Sequence, residues 1–191
     1  MSLTDAQIDR YSRQIIVPRI GGRGQERLLA ARMLLVGDAR DIEAPLAYLV
    51  GAGVGTICLK LVGNQAEFTE KRELNADVSV TVANESKDRI DLALMIIGSE
   101  AVRKVAVETA TRELHAAVIA RLDTPGKIVV IPDAHGPRTV DAEFGTRAET
   151  ADFIAMLATA EAFKLIAGYA ENPSRATIEF DGYETRVSVN S

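Results

Sequence analysis

The sequence predicts an α/β fold with a doubly wound, mostly parallel sheet, an N-terminal helical segment and a C-terminal antiparallel hairpin. Three observations predict it. Apolar, strand-like runs alternate with helical patterns along the chain, and the nearly continuous apolar run at 91–97 is typical of a strand covered on both faces. At the end of the chain, two β-rich segments flank Asp181-Gly182, a favoured two-residue turn.

The first half of the chain predicts two helical segments and a βαβ unit. The predicted elements are a helix from Thr4 or Asp5 to about residue 14, a glycine-rich break at 21–24, a short amphipathic segment around 28–29, a strand at 33–36, a helix over 42–52 and a strand at 56–61. Gly53 ends the helix of the βαβ unit.

The second half predicts four more strands before the hairpin ends the chain. The elements are a half-exposed strand at 77–82, the buried strand at 91–97, a helix from Ser99 to about residue 114, strands at 116–120 and 127–131, a loop or crossing segment at 132–148, an apolar helix over 151–167, and hairpin strands at 177–180 and 183–189. The apolar stripe from Phe153 to Ile166 predicts core or dimer surface.

The length and composition suit one domain. The chain has 191 residues, 47% of them hydrophobic and 26% charged. We expect a single domain over 1–191, made of N-terminal helices at 1–30, a Rossmann-like core at 31–131, a remodelled crossing loop at 132–150 and a late helix with a hairpin at 151–191.

Charge and cysteine content exclude several functions. A net charge of -5 argues against nucleic-acid binding, and no apolar run approaches the roughly 20 residues that span a bilayer. The N-terminus lacks the apolar stretch of a signal peptide, so we expect a cytoplasmic protein. Cys58 is the only cysteine, which excludes cysteine-based zinc sites, and His115 and His135 lack partners at metal-binding spacing.

A glycine-rich nucleotide loop is incomplete after the first predicted strand. Gly37 stands at the first glycine position of a G-x-G-x-x-G turn, but Ala39 and Ile42 replace the second and third. Those glycines let the backbone approach a phosphate and let the helix pack closely on the strand. Arg40 and Asp41 lie between them. An anion at this loop would therefore meet charged side chains instead of bare amide groups.

Several motifs resemble the ThiF/MoeB/HesA family, the bacterial relatives of ubiquitin-activating enzymes. The resemblance rests on the following segments: Arg-Tyr-Ser-Arg-Gln-Ile-Ile at 10–16, Gly-Gly-x-Gly-Gln-Glu-x-Leu at 21–28, Ala-Arg-Met-Leu-Leu-Val-Gly at 31–37, Tyr-Leu-x-x-Ala-Gly-Val-Gly-Thr-Ile at 48–57, Asp-Leu-x-Leu at 91–94 and Glu-Ala-x-Lys-Leu-Ile-Ala-Gly at 161–168. It covers nearly the whole chain. The resemblance implies a Rossmann-like UBA/ThiF-type fold and ATP- and magnesium-dependent adenylation of the C-terminus of a β-grasp carrier protein, usually by a dimer.

The family's functional positions are largely missing here. The strand at 56–61 continues through Val62 without the acidic residue that holds the ribose, and Lys71 and Arg72 cannot be aligned with the family's triphosphate-binding segment. Gly98 falls where the family has an aspartate that organises magnesium. The zinc and catalytic cysteines are absent from the sequence as well. Since each fixed contact contributes on the order of a few kcal/mol in the transition state, the combination predicts a degenerate member without catalytic or metal-binding residues.

Three residues remain as candidates for a binding role. Gly37 and Arg40 mark a vestigial nucleotide-binding loop, although Asp38 and Asp41 are close enough to neutralise Arg40. In the family, the second arginine of the Arg-x-x-Arg motif reaches the ATP of the other protomer, and Arg13 corresponds to it. The alternative for Arg13 is an arginine on the solvent side of its helix, either solvated or paired with a surface carboxylate. We expect Arg10 to occupy the same side.

Three functions stay open. The first is a non-catalytic scaffold, either a homodimer or a heterodimer with an active ThiF-like enzyme, which binds a β-grasp sulfur carrier. The second is a residual ATP-dependent adenylyltransferase, the only case in which ATP and magnesium are expected as cofactors. The third is a binding module for another small anion in the remodelled cleft.

Overall fold

The computed structural model describes residues 2–63, 75–82, 89–110, 116–132, 143–169, 173–181 and 184–190. Its elements are α1 (Asp5–Ile15), α2 (Gly21–Ala30), β1 (Arg32–Asp38), α3 (Ala39–Ala52), β2 (Thr56–Val62), β3 (Ser79–Val82), β4 (Leu92–Ile97), α4 (Glu100–Ala110), β5 (Ala116–Arg121), β6 (Gly126–Ile131), α5 (Ala151–Ala167), β7 (Arg175–Phe180) and β8 (Thr185–Asn190). None of the helices in these ranges is long and apolar enough to cross a bilayer.

Within these residues the strands form one sheet in the order β3-β2-β1-β4-β5-β6-β7-β8. The first five positions in that order are parallel, whereas β6, β7 and β8 pair antiparallel. The predicted α/β fold with a mostly parallel sheet and an antiparallel end is therefore confirmed. From β1 the chain continues to β2 and β3 on one side, and then returns to place β4 and β5 on the other side of β1. The gap between the carboxyl ends of β1 and β4 is therefore a topological switch point.

Two apolar cores cover the two faces of the sheet. Side chains alternate along β1, so Met33 and Leu35 join the larger core with α2, α3 and α5, while Leu34 and Val36 join the smaller core with α4. The strand β4 is buried along its whole length, as its apolar run predicts. The helix α5 is mainly core, although Phe153 is 59% exposed.

Hydrogen bonds and an ion pair join the N-terminal helix α1 to the segment that leads into β3. Tyr11 is buried, and its hydroxyl accepts a hydrogen bond from Asn75 (2.9 Å) and donates one to Asp77 (3.1 Å). Arg10 donates to Asn75 (2.9 Å) and lies 3.3 Å from a carboxylate oxygen of Asp77. Arg10 was expected on the solvent side of its helix, solvated or paired with a surface carboxylate, and it is 42% exposed and paired with Asp77. Burial raises the pKa of the Tyr11 hydroxyl, and although the bond from Asn75 lowers it, the bond to Asp77 raises it further.

Two predicted boundaries in the first half were wrong. The glycine-rich segment at 21–24 is not a break but the first turn of α2, where Gly24 is buried and donates its amide to Ile20 (2.8 Å). The helix α3 begins at Ala39, three residues before the predicted start, so the loop between β1 and α3 is minimal. The predictions for 64–74, for His115 and His135, and for Gly182 fall outside the described residues.

Candidate functional site

The candidate site is the crevice at the switch point, where β1 leads into α3 and β4 leads into α4. Both helices point their N-termini toward it, and the N-terminus of a helix attracts anions through its free amide groups and dipole. In an open sheet of this kind, ligands bind outside the carboxyl ends of the strands. Gly37, Asp38 and Asp41 lie on the β1 side of this crevice, and Gly98 and Ser99 lie on the β4 side.

Gly37 is required by packing. Gly37 pairs with Leu61 on β2 and with Ile96 on β4, in the middle of the sheet. A Cβ atom at this position would overlap the Cγ2 of Ile42 and lie 3.1 Å from the carbonyl oxygen of Ile96. Ile42 is completely buried. The isoleucine at the third glycine position therefore occupies the space above Gly37, and the two residues fit each other.

Asp41 fills the space above Gly98. A Cβ atom at Gly98 would overlap the carboxylate of Asp41, whose side chain is only 3% exposed. This carboxylate is bound by Arg147, which reaches it from a segment more than one hundred residues later in the sequence. Nη1 of Arg147 donates to Oδ2 of Asp41 at 3.1 Å, and Nη2 lies 2.8 Å from Oδ1 without a directed hydrogen bond. An internal ion pair therefore lies in the crevice.

The aspartates of the crevice have partners other than the predicted one, Arg40. Asp38 accepts a hydrogen bond from the hydroxyl of Ser99 (2.9 Å), and Ser99 in turn accepts one from the amide of Val102 as the predicted cap of α4. Asp38 and Asp41 were predicted to neutralise Arg40, but they bind Ser99 and Arg147 instead. Arg40 itself is exposed in the first turn of α3.

Arg147 belongs to a short segment, residues 143–148, which we call the strap. Backbone hydrogen bonds join it to the chain after β5, from Ala148 to Leu122 (2.7 Å) and from Thr124 to Thr146 (2.8 Å). The strap lies within the predicted crossing loop at 132–150, of which residues 132 and 143–150 are described. Because the chain after β5 is already at the carboxyl edge of the sheet, this pairing places the guanidinium of Arg147 in the crevice.

Two carboxylates, those of Asp123 and Glu100, accept hydrogen bonds from backbone amides of the strap. Asp123 accepts the amide of Gly145 (2.8 Å) and a hydrogen bond from Nε of Arg121 (3.0 Å). Burial raises the pKa of Asp123, but the hydrogen bonds from Arg121 and Gly145 outweigh it, so the pKa is lowered overall. Glu100, in the first turn of α4, accepts the amide of Phe144 (3.2 Å).

Glu100 also determines the environment of Arg103. The guanidinium of Arg103 donates two hydrogen bonds of 2.7 Å to the Glu100 carboxylate. This pairing, despite some opposing desolvation, lowers the pKa of Glu100 to about 2. Glu100 and Asp41 thus place carboxylates in the first turns of α4 and α3, the positions that a helix dipole favours for negative charge.

Arg13 lies on the exposed side of α1 and is not among the residues that form the crevice. Its side chain is exposed, and it occupies the last turn of α1. Among the described residues, no group of three or more histidine, cysteine or acidic side chains is arranged to hold a metal ion. Sequence reasoning missed Arg147, because its partner is distant in the chain and the crossing segment has no periodicity.

The fold and the crevice define the chain as a Rossmann-type α/β protein of the class that binds ligands at a topological switch point. No family model matches the sequence. The adenylyltransferase and sulfurtransferase uba4 of Aspergillus niger is 42% identical over 93 residues, which cover 48% of this chain and 18% of that protein. The SAMP-activating enzyme E1 of Haloferax volcanii is 34% identical over 137 residues, covering 60% of this chain and 50% of that enzyme.

Solved structures agree with these sequence matches at the level of fold. PaaA superposes with a TM-score of 0.59 at 18% identity, covering 98% of this chain and 75% of PaaA. Escherichia coli MccB in complex with ATP superposes with a TM-score of 0.58 at 16% identity, covering 96% of this chain and 71% of MccB. Together, the sequence matches and the shared fold support membership of the ThiF/MoeB family. It spans half or less of the length of the two curated relatives described above.

Proposed function

We propose that the chain is a degenerate ThiF/MoeB-like protein without adenylation activity, acting as a dimeric scaffold or non-catalytic partner in a sulfur-carrier or ubiquitin-like activation system. The observation that carries the proposal is the Asp41–Arg147 ion pair above Gly98. It supplies internally both the negative charge that the N-terminus of α3 attracts and the cation that balances it.

The described residues of the crevice do not fit a nucleotide with its magnesium ion. At the end of β2, next to Asp38, the chain has Val62 and Gly63, which offer no carboxylate to a ribose. Gly98 has no ligand atom for magnesium, and the nearby Asp41 carboxylate is bound by Arg147. A phosphate would have to displace a buried carboxylate from a helix N-terminus, which removes a favourable interaction before it makes a new one.

Pyrophosphate exchange tests the absence of catalysis. We expect no exchange of labelled pyrophosphate into ATP when the purified chain is mixed with magnesium and candidate β-grasp carriers. An active ThiF-like enzyme with its own carrier is the positive control. Exchange that is lost in Arg40→Ala or Arg13→Ala would overturn the proposal. It would support the second function, a residual adenylyltransferase, which the activities named for the relatives favour.

The partner role is tested separately through Arg13. Its exposure on α1 leaves the guanidinium accessible to a second protein, and a guanidinium can bind two phosphate oxygens at once. We expect the chain to form a complex with an active ThiF-like enzyme and to raise its exchange rate, and Arg13→Ala to remove that increase without removing the complex. Arg186→Ala, an exposed arginine on β8, is the matched control. Absence of a complex would exclude the heterodimer and leave the homodimer.

A further inference from the structure

A second concave site lies at the opposite edge of the sheet, where the parallel strands begin. An open cleft of about 430 Å³ is formed there between α2, α5 and the starts of β4 and β5. Its wall is mainly apolar, with Ala30, Leu92, Ala116, Leu165 and Ile166 among the lining residues. This volume falls within the range of sites that hold small molecules, roughly 300 to 1,000 Å³.

A smaller basic cleft adjoins the apolar one at Arg27, which lines both. It measures about 340 Å³ and is lined by Arg19 and Arg23 in addition to Arg27. Of the residues that the structure describes, none that lines this cleft is acidic, and none forms a salt bridge with any of the three arginines. The carbonyl oxygen of Ala167 accepts a long hydrogen bond from Arg27 (3.5 Å).

The acidic residue of the apolar cleft does not balance these arginines. Asp91 accepts the backbone amide of Arg32 (2.9 Å) and lies 3.6 Å from the guanidinium of Arg89. The negative charge of Asp91 is therefore paired with Arg89 and with the backbone amide at the start of β1. The two adjoining clefts combine an apolar wall with an excess of positive charge at one end, although the whole chain carries a net charge of -5.

We propose that these clefts bind a small amphipathic anion, an acyl chain that ends in a carboxylate. The acyl chain of the ligand would pack on Leu165, Ile166 and Ala116. Its carboxylate would accept hydrogen bonds from Arg27 and Arg23. An apolar ligand without charge would leave the arginines unused, and an amphipathic cation would be repelled by them. The site is separate from the crevice at the carboxyl edge and does not depend on the function proposed above.

Calorimetric titration with octanoate tests the proposal, with octylamine as the ligand of opposite charge. We expect octanoate to bind the full chain at least about tenfold more tightly than octylamine, and Arg23→Gln to weaken octanoate by about tenfold. Arg27→Gln should weaken it further, and Ala30→Phe should abolish it by filling the apolar cleft. Arg186→Gln on β8 is the control and should leave binding unchanged.

Arg23→Gln is the decisive variant, because Arg27 also contacts the end of α5 and its loss could loosen the fold. Circular dichroism and thermal unfolding of each variant identify such a loss. No saturable octanoate binding by the unmodified chain would overturn the proposal, as would equal affinity for octylamine. Unchanged binding in a folded Arg23→Gln variant would overturn it too.

Discussion

Asp41 and Arg147 differ in how far each can reach water when its partner is removed. The Asp41 side chain is 3% exposed and that of Arg147 is 25% exposed. Arg147→Ala leaves a buried charge without its cation, which costs about 3–5 kcal/mol of unfolding free energy, and less to the extent that water enters. Asp41→Ala leaves an arginine that can turn outward, so we expect a smaller loss.

Urea unfolding of the two single variants measures this asymmetry. Asp152→Ala is the control, since Asp152 contacts Arg147 at 3.3 Å but is 94% exposed, and its loss should cost under about 0.5 kcal/mol. Equal losses for Asp41→Ala and Arg147→Ala would contradict the buried placement of the carboxylate.

Gly37 and Ile42 should behave as a coupled pair. Gly37→Ala forces a methyl group against Ile42 and should destabilise the fold by about 1–3 kcal/mol. Ile42→Ala alone creates a cavity and should cost about 2–5 kcal/mol. In the double variant the new methyl group enters that cavity, so its loss should be smaller than the sum of the two. Additive losses in a double-mutant cycle would show that the two positions do not share this space.

At this scale the sequence predicts which residues are unusual but not which ones meet. The sequence singles out Asp41 in the incomplete glycine-rich loop and Gly98 at the end of a strand. Their contact, however, depends on how α3 packs over β4. Arg147 could not be found from local pattern, because only the pairing of the strap with the chain after β5 brings it to the crevice. Long-range ion pairs have no spacing signature in a single sequence.

Among the elements, the strap should show a dependence on pH through Asp123. Its pKa is lowered in the folded chain, so this carboxylate adds stability above its unfolded pKa of about 3.9, and that contribution disappears as the pH falls through the folded value. Asp123→Asn should therefore be clearly less stable than the unmodified chain at pH 7, and the difference should become smaller at pH 2. Urea midpoints at the two pH values check this. A constant difference would contradict the bonding of the ionised carboxylate to Arg121 and Gly145.

Strands and long helices were predicted well because their hydrophobic periodicity is strong. The buried run of β4 and the glycine-terminated α5 agree with their predicted ranges to within one residue. The start of α2 was missed, since three glycines in four residues normally interrupt a helix, and here tertiary contacts outweigh that propensity. The early start of α3 was missed because the loop was compared with a glycine-rich template that this chain does not follow.

At the scale of the whole molecule, we predict a dimer of about 41 kDa, twice the 20.6 kDa chain. The prediction rests on the family, whose members usually pair, and on the role proposed for Arg13. Light scattering coupled to size-exclusion chromatography measures the mass directly. A monomer across the micromolar range would count against the homodimer and would leave Arg13 dependent on a different protein.

The function proposed above requires that the sheet and the packing motifs be kept without catalysis, and those residues stabilise the fold independently of any ligand. Tyr11 and Asn75 belong to the family's motifs, and here they fasten α1 to the entry of β3. The motifs that identify the family can therefore persist when the crevice no longer accepts its nucleotide. Likeness in these segments alone does not establish adenylation.

Calorimetric titration of the purified chain with ATP and magnesium tests the central claim most directly. The ion pair of Asp41 and Arg147 in the crevice predicts no saturable heat of binding up to millimolar ATP, in conditions where an active family member binds. Micromolar binding of ATP by the unmodified chain, weakened by Arg40→Ala, would contradict it.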